Sequence, residues 1–227
     1  MFLSKLQSLF SKSQPPKSDW IKQTLNQRVN QLGLKNWDGN YTWSSDFNTT
    51  GIKFVLKYTL MKGNQGTFSF GVCTNFIPSI QKHKKVVFHT APKKPVLQLF
   101  DSAYGWRNSF QSEQLSDTVS HWSEKDFERD LNKLLKKYTS IIQDWFKSNQ
   151  TLEQLITTSS KQTQDESYKI NHPSPLFIYG YLLATNNQEK EGINQIKSYY
   201  SSLIQNQQEF KQDLDLVLNH LKTVGNT

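Results

Sequence analysis

The sequence predicts an α+β protein: an antiparallel sheet of four to five strands, covered by a long helix and followed by a C-terminal helical hairpin or bundle. Three observations predict this class. Residues 52–61 and 67–76 alternate apolar and polar positions with a period of two, which is typical of half-buried strands. Residues 127–145 carry an apolar stripe at helical spacing, and residues 176–224 hold further helical patterns. A chain of 227 residues is long enough for one large domain or two small ones.

The N-terminal residues 1–17 predict an amphipathic segment that ends in a hinge. Residues 2–12 place their apolar side chains on one helical face, and Pro15 and Pro16 then break the pattern. Such a segment can pack on its own domain, dock on a partner, or make weak peripheral contact with a membrane surface. The sequence leaves these alternatives open.

The first helix of the sheet domain is predicted to follow directly. Ser18 and Asp19 can cap a helix that runs to about Leu32, and Gly33 is a suitable residue to end it. Apolar residues recur on its inward side, namely Trp20, Ile21, Leu25, Val29 and Leu32.

The two alternating segments predict a β-hairpin whose register can be argued. A two-residue turn at Asn64 and Gln65 would set the phenylalanines of the second strand on the lysine face of the first, because a slip of one residue moves every side chain to the other face. We therefore predict a loop with an odd number of residues, either 63–65 or 62–66, with Gly or Asn in the left-handed conformation. This register pairs Phe68 with Leu60, Phe70 with Tyr58, and Val72 with Leu56.

Further short strands are predicted at Tyr41–Phe47, Lys85–Thr90 and Val96–Phe100. The sheet and its covering helix would occupy residues 18–158. A polar stretch at 159–174 predicts a linker, and residues 175–227 predict a helical subdomain in which Gly180, Ala184 and a tight turn at 186–187 resemble one helical hairpin of the tetratricopeptide type.

The long covering helix has clear limits. Ser123 and Asp126 stand at the spacing of an N-terminal cap, and the apolar stripe continues to about Lys147. Acidic residues cluster in the first turns and a lysine lies at the end, as the helix dipole favours. This pattern predicts a helix that faces the core.

Residue types for catalysis or metal binding are scarce. Cys73 is the single cysteine and stands in a strand pattern, which favours a buried hydrophobic role. The five histidines form no H-x-x-x-H or H-E-x-x-H spacing, and no phosphate-binding, dinucleotide-binding or G-x-S-x-G motif occurs. We therefore expect no metal, no cofactor and no enzymatic activity. The chain shows no membrane-spanning run and no secretory signal, so the expected location is the cytoplasm.

Charge is divided unevenly between the two halves. Residues 1–112 hold 15 Lys and Arg against 4 Asp and Glu, a net +11, whereas residues 113–227 hold 12 against 15, a net −3. The lysines near the short strands can protect a sheet edge from pairing with other chains, or they can contact nucleic-acid phosphates together with exposed aromatic residues. The candidate partner-binding residues are Trp37, Trp43, Lys82, Lys84, Lys85, Lys93, Lys94, Tyr104, Trp106 and Arg107. The four aromatic residues among them are expected in loops or at strand ends, free of the core.

The order of features resembles a known family. A strand ends in the run Gly71–Pro78, a helix led by Trp122 follows, and it closes in the run Trp145–Leu155. Over roughly residues 18–158 this is similar to a bacterial family of uncharacterised α+β domains found beside polymorphic-toxin genes, to which an immunity role is attributed. The resemblance implies a protein that neutralises a toxin, and it carries no catalytic residues. Inhibitors of nuclease toxins are commonly acidic, so the basic first half departs from that pattern and implies either an acidic toxin surface or contact through the acidic C-terminal half.

The leading functional hypothesis from the sequence is a non-enzymatic cytoplasmic protein that binds a protein partner, with a toxin as the partner that the resemblance implies. A nucleic-acid-binding protein that uses the basic half is the alternative. An enzyme of unrecognised chemistry comes third, and a deep pocket lined by His89 or His121 and a carboxylate would favour it.

Overall fold

The computed structural model describes residues 17–80, 86–88, 95–103, 117–168, 171, 173–205, 208 and 210–224. The architecture is α+β, with an antiparallel sheet followed by helices, which confirms the predicted class. The strands are β1 (Asn36–Trp37), β2 (Thr42–Ser44), β3 (Ile52–Met61), β4 (Gln65–Thr74), β5 (Ser79–Ile80), β6 (Val86–Val87), β7 (Leu99–Ser102) and β8 (Val119–Ser120). The helices are α1 (Lys17–Val29), α2 (Glu124–Lys147), α3 (Leu152–Gln164), α4 (Pro175–Thr185), α5 (Glu189–Ile204) and α6 (Phe210–Val224), with short 3₁₀ turns at Asn30–Leu32 and Glu166–Tyr168.

Within the described residues, the main sheet has six antiparallel strands in the order β1-β2-β3-β4-β7, and β8 pairs with β4 beside β7. The strand expected at Tyr41–Phe47 is β2, and the one expected at Val96–Phe100 overlaps β7. The segment Lys85–Thr90 contains β6, which pairs with β5 in a separate two-stranded sheet. Strands β1 and β8 carry too few residues to show an alternating pattern.

Helix α1 ends near the predicted residue, but Ser18 and Asp19 do not cap it as expected. Ser18 and Asp19 lie within the helix, which is described from Lys17, and a 3₁₀ turn continues it to Leu32. Gly33 then ends the segment with a φ of 78°, a left-handed conformation that suits glycine.

The β3–β4 hairpin has a loop with an odd number of residues, as predicted, but its cross-strand residue pairs differ from the predicted ones. Met61 pairs with Gln65, so the turn is Lys62–Asn64, and Phe68 pairs with Tyr58 instead of Leu60. The predicted register is therefore wrong by two residues. Turn Lys62–Asn64 places both Gly63 and Asn64 at positive φ, which lets a three-residue loop close the strands. Because the loop still has an odd number of residues, the phenylalanines of β4 share the face of Tyr58.

A glycine on β4 accommodates the observed register. A Cβ at Gly66 would lie 2.5 Å from the Tyr58 hydroxyl, so no larger residue fits there without displacing the tyrosine. In the expected register Gly66 would lie two positions further from Tyr58 along the ladder.

The long helix α2 begins and ends where the sequence predicts. The Ser123 hydroxyl accepts a hydrogen bond from the backbone N–H of Asp126 at 3.1 Å, and the helix runs to Lys147. Its apolar stripe lies over the sheet: Phe127 packs edge-on to Tyr58, and Phe146 stacks on Phe54 with ring centroids 4.7 Å apart. Helix α2 is the cover of the sheet's apolar face.

The first part of the polar stretch at 159–174, which the sequence predicts as a linker, is helical. Residues 159–164 are the last turns of α3, whose N-terminus is capped reciprocally by Thr151 and Gln154. Ser159 and Gln162 are buried although they are polar, which is why composition alone suggests a linker. Helix α4 then begins after Ser174, whose hydroxyl accepts from the backbone N–H of Leu176.

The C-terminal helices form the predicted hairpin and a third helix. Helices α4 and α5 approach closely at two glycines, because a Cβ at Gly192 would lie 2.5 Å from the Gly180 carbonyl oxygen. The turn between them holds Asn187 at a φ of 60°. Ile52 and Val72 of the sheet belong to the same core cluster as these helices, so the C-terminal part packs on the open end of the β3–β4 hairpin. Among the described residues, the helices are all too short or too polar to cross a membrane.

Candidate partner-binding groove and neighbouring surfaces

The two described tryptophans of the predicted site differ in burial. Trp37 lies on β1 with 38% of its surface exposed and donates from Nε1 to the Asn40 carbonyl oxygen at 3.0 Å. Trp43 is fully buried at 0%, and its Nε1 donates to Asn26 Oδ1 of α1 at 2.9 Å. The expectation that Trp43 is free of the core is therefore wrong. Its ring stacks on Trp37 with centroids 6.4 Å apart, so Trp37 is the exposed outer member of an aromatic pair.

The other predicted site residues have no described position. Lys82, Lys84, Lys85, Lys93, Lys94, Tyr104, Trp106 and Arg107 lie outside the described residues.

An exposed tryptophan that sequence reasoning used only to mark a helix start is Trp122. It is 73% exposed and lies beside a polar cavity of about 380 Å³ at the turn end of the hairpin. The cavity is lined by Gly63, Asn64, Gln65, Thr118, Ser120, Trp122, Asp130 and Lys133. The sequence indicates that Trp122 can be exposed, because it stands just before the Ser123 cap and is therefore not part of the helix's apolar stripe.

A second cavity, which we call the α2–α3 groove, opens between the C-terminal half of α2, the helix α3 and the edge strand β7. Its volume is about 540 Å³. It is lined by Asp101, Ile141, Asp144, Trp145, Ser148, Asn149, Thr158, Lys161, Gln162, Asp165 and Tyr168. None of these residues is among the predicted site residues, because they come from three separate parts of the chain.

The apolar wall of the groove comes from α2. Ile141 belongs to the predicted apolar stripe, yet 46% of its surface is exposed. Trp145, one turn later, is half-buried and packs edge-on to Phe70 of the sheet with centroids 6.0 Å apart. Because Trp145 is held by the sheet, it presents a fixed aromatic surface to the groove.

Charged groups surround this wall. Among the described lining residues, the acidic side chains are Asp101, Asp144 and Asp165, and the basic one is Lys161. Asp101 Oδ2 accepts a hydrogen bond from the Tyr168 hydroxyl at 3.1 Å, and Asp144 lies 3.7 Å from Lys147 in an exposed ion pair. Exposed pairs of this kind are screened by water and bind weakly.

Two buried amides in the groove lining are only half satisfied. Asn149 Nδ2 donates to the Trp145 carbonyl oxygen at 2.7 Å, and Gln162 Nε2 donates to the Phe100 carbonyl oxygen at 3.1 Å. The amide oxygens Asn149 Oδ1 and Gln162 Oε1 accept no hydrogen bond from the described part of the chain. A buried acceptor without a donor costs about 1–3 kcal/mol, so such atoms are uncommon in folded proteins.

His121, one of the histidines considered for catalysis, is buried and lies 2.6 Å from the Tyr58 hydroxyl through Nε2. Burial raises the pKa of Tyr58 well above its ordinary value, so the hydroxyl stays protonated at neutral pH. Neither residue lines the groove or the Trp122 cavity. Cys73 is also buried, and burial raises the pKa of its thiol, as expected for a hydrophobic role.

Within the described ranges, no group of three or more His, Cys, Asp and Glu side chains is arranged to hold a metal ion. Comparison of the chain with protein-family models, with curated proteins and with solved structures gives no match. The geometry of the groove is therefore the basis on which a function can be proposed.

Proposed function

We propose that this chain is a non-enzymatic protein that binds a protein partner through the α2–α3 groove, and that the partner is a toxin which it neutralises. The observation that carries the proposal is the groove itself, which joins the exposed Ile141 and the fixed ring of Trp145 to convergent polar groups. Small-molecule pockets are typically concave and largely apolar with a few placed polar groups, and anchor residues of protein partners likewise fill well-packed pockets. Aromatic residues in such pockets supply a large share of the binding free energy at interfaces.

A complete interface extends beyond the groove. A stable complex buries about 800 Å² on each partner, which is more than one cavity provides. The exposed faces of α2 and α3 flank the groove and supply the remaining area, with charged residues such as Lys161 at its rim. The groove would hold the anchor residue of the partner, and the helix faces would exclude water around it.

The immunity role is tested by co-expression with each neighbouring gene product. If the proposal is right, one of those products arrests growth alone, and this chain restores growth and co-purifies with it. Ile141→Asp places a charge on the apolar wall and should abolish both effects. Since Ile141 is exposed on a helix, the substitution should change the free energy of unfolding by about 0.5 kcal/mol or less.

Leu216 offers a matched control. It is an exposed leucine on α6, 53% accessible and absent from the groove lining. Leu216→Asp makes the same change of charge at a comparable site and should leave growth and co-purification intact. Equal effects of the two substitutions would contradict a role for the groove.

A second candidate function rests on the net charge of +11 in residues 1–112. A nucleic-acid-binding protein would lose affinity as salt rises, because bound lysines release counterions from the phosphates. Binding of labelled DNA and RNA at low and moderate salt tests this hypothesis. If Lys82, Lys84 and Lys85 changed together to Glu leave the affinity unaltered, the nucleic-acid hypothesis is wrong.

A further inference from the structure

We infer that the Trp122 cavity binds one nucleotide, whose base stacks on the Trp122 ring and whose phosphate contacts Lys133. This inference concerns a different surface from the α2–α3 groove and is independent of the proposed function. It follows from three properties of the lining: an exposed indole ring, side chains that are left with hydrogen-bond donors, and a lysine that has no ion-pair partner among the described residues.

Hydrogen bonds between separate parts of the chain fix the walls of this cavity. The His121 backbone N–H donates to the Asn64 carbonyl oxygen at 2.7 Å, which joins the end of β8 to the hairpin turn. The Ser120 backbone N–H donates to Asp130 Oδ2 at 3.3 Å, which joins β8 to α2. The cavity is therefore pre-formed, and its volume of about 380 Å³ suits one small ligand.

Trp122 supplies an aromatic surface that a ligand can reach. Tryptophan is highly buried on average, yet 73% of the surface of Trp122 is exposed. Its backbone N–H donates to the Ser120 hydroxyl at 3.4 Å, and the next residue, Ser123, caps α2. An exposed ring on a backbone held in this way is suited to stacking on the face of a base, as aromatic residues do in proteins that bind single-stranded nucleic acids.

The side chains beside the ring are left with hydrogen-bond donors. Gln65 Oε1 accepts from the Thr118 hydroxyl at 3.2 Å, whereas Gln65 Nε2 has no partner among the described residues and is open to solvent. Ser120 Oγ accepts from the Trp122 backbone N–H, which leaves the hydroxyl hydrogen of Ser120 to donate. A ligand that matches these groups has to present acceptor atoms.

Lys133 adds a positive charge to these donors. It lines the cavity, is exposed, and forms no ion pair within the described part of the chain. The carboxylate of Asp130, which also lines the cavity, is already engaged: Oδ1 accepts from Arg129 Nε at 2.9 Å, and Oδ2 accepts from the Ser120 N–H. The available charge is therefore that of Lys133, and it favours an anionic ligand.

A nucleotide combines both requirements in one small molecule. Its base offers a planar face to Trp122, and its phosphate offers charged acceptor oxygens to Lys133, Gln65 and Ser120, which are residue types that commonly contact phosphates. Inorganic phosphate would leave the indole ring unused, and an uncharged nucleoside would leave the lysine unused. The nucleotide can be free or can belong to a single-stranded nucleic acid, since both present the same base and phosphate.

The inference is tested by comparing a nucleotide with its two parts on the full-length chain. The probes are adenosine monophosphate, adenosine and ribose 5-phosphate, and isothermal titration calorimetry measures their affinities. We expect adenosine monophosphate to bind at least about tenfold more tightly than either part, because it alone uses the ring and the lysine together. If it binds no more tightly than one of the parts, the inference is wrong.

Variants of the two residues should remove the two contributions separately. Trp122→Ala should weaken adenosine monophosphate at least about tenfold and leave ribose 5-phosphate unchanged, and Trp122→Phe, which keeps a ring, should weaken it less. Lys133→Gln should weaken adenosine monophosphate and ribose 5-phosphate by about fivefold and leave adenosine unchanged. Both residues are exposed, so thermal unfolding of these variants should match that of the unmodified protein.

The chain offers a matched control for each variant. Trp37 is an exposed tryptophan and Lys136 an exposed lysine on α2, and both lie outside the cavity lining. Trp37→Ala and Lys136→Gln should each change the affinity for adenosine monophosphate by less than about twofold. Equal effects of the cavity and control substitutions would overturn the inference.

A labelled oligonucleotide of six adenylates distinguishes the two sources of the nucleotide. If it binds more tightly than adenosine monophosphate and Trp122→Ala weakens it, the cavity holds one unit of a single strand. If the two bind equally tightly and Trp122→Ala weakens both, the ligand is a free nucleotide. If Trp122→Ala weakens neither, the cavity is not a nucleotide site.

Discussion

The Tyr58 hydroxyl and His121 Nε2 lie 2.6 Å apart inside the core, joining strand β3 to the residue that follows β8. The backbone N–H of His121 also donates to the Asn64 carbonyl oxygen, so this residue ties the hairpin turn to the start of α2. Gly66 leaves the space that the tyrosine ring needs. Tyr58 and His121 thus connect strand β3, the hairpin turn and the start of α2.

Replacing Tyr58 with phenylalanine should test how much this pair stabilises the fold. Tyr58→Phe removes the hydroxyl from a buried polar partner, and the free energy of unfolding should fall by about 1–3 kcal/mol in a urea titration. The control is Tyr179→Phe on α4, a half-buried tyrosine whose hydroxyl has no described partner, and it should cost less than about 0.5 kcal/mol. Equal losses of the free energy of unfolding in the two variants would mean that the hydrogen bond between Tyr58 and His121 does not stabilise the fold.

The close contact of α4 and α5 predicts that replacing a helical glycine with alanine lowers the free energy of unfolding, whereas this change usually raises it. Gly192→Ala would place a Cβ 2.5 Å from the Gly180 carbonyl oxygen, and a backbone atom cannot move aside cheaply. We expect a loss of about 1–3 kcal/mol in thermal or urea unfolding, although alanine is favoured over glycine in a free helix. Asn194→Ala, at an exposed site on the same helix, should be neutral or stabilising. A stabilising Gly192→Ala would show that the two helices are not packed this closely.

Asn48 connects the β2–β3 loop to the junction between α2 and α3. Its Nδ2 donates to the Gln150 carbonyl oxygen at 3.0 Å, while its Oδ1 accepts from the Ile52 backbone N–H at 2.9 Å. Asn48→Asp keeps the acceptor but puts a carboxylate oxygen in place of the donor, against the Gln150 carbonyl oxygen, so it should cost at least about 0.5–1.5 kcal/mol. Asn48→Ala removes both and should cost more. Urea unfolding of the two variants separates the contributions, and an Asn48→Asp variant as stable as the unmodified protein would show that the contact with Gln150 stabilises nothing measurable.

The pH dependence of stability should contain a contribution from His220. Burial lowers the pKa of His220 below its ordinary value of 6.5, beside the rings of Phe88 and Tyr181. The unfolded chain therefore binds a proton more readily than the folded chain, and stability should fall as the pH drops through 6.5 toward the folded-state pKa. His220→Gln should flatten that decline. Urea midpoints of both proteins at about pH 8 and about pH 5.5 measure it, and parallel declines would rule the contribution out.

Local sequence patterns predict most of the elements because each depends on neighbouring residues. The Ser123 cap, the end of α2 at Lys147 and the left-handed Gly33 all follow from contacts within one or two turns. The hairpin shows where such reasoning stops. The alternation of side chains requires a loop with an odd number of residues. Which odd-numbered loop forms depends on turn geometry and on packing around Gly66.

The candidate site could not be predicted in the same way. Trp43 and Trp122 are both tryptophans near element ends, yet α1 encloses the first, whereas the second is 73% exposed. The basic residues that composition singles out lie outside the described ranges, so their role stays a prediction. The groove combines β7, α2 and α3, and no periodicity or spacing connects Asp101 with Gln162.

By itself the sequence determines the α+β class, the extent of the long helix, which side chains share the apolar face of the hairpin, and the scarcity of catalytic motifs. These features depend on periodicity, capping and composition. Only the tertiary structure decides that Ile141 is left exposed, that Trp145 is held by the sheet, and that two amide oxygens are buried without a described donor. These features arise where segments far apart in the chain pack together. Long-range packing therefore creates the groove on which the proposed function depends.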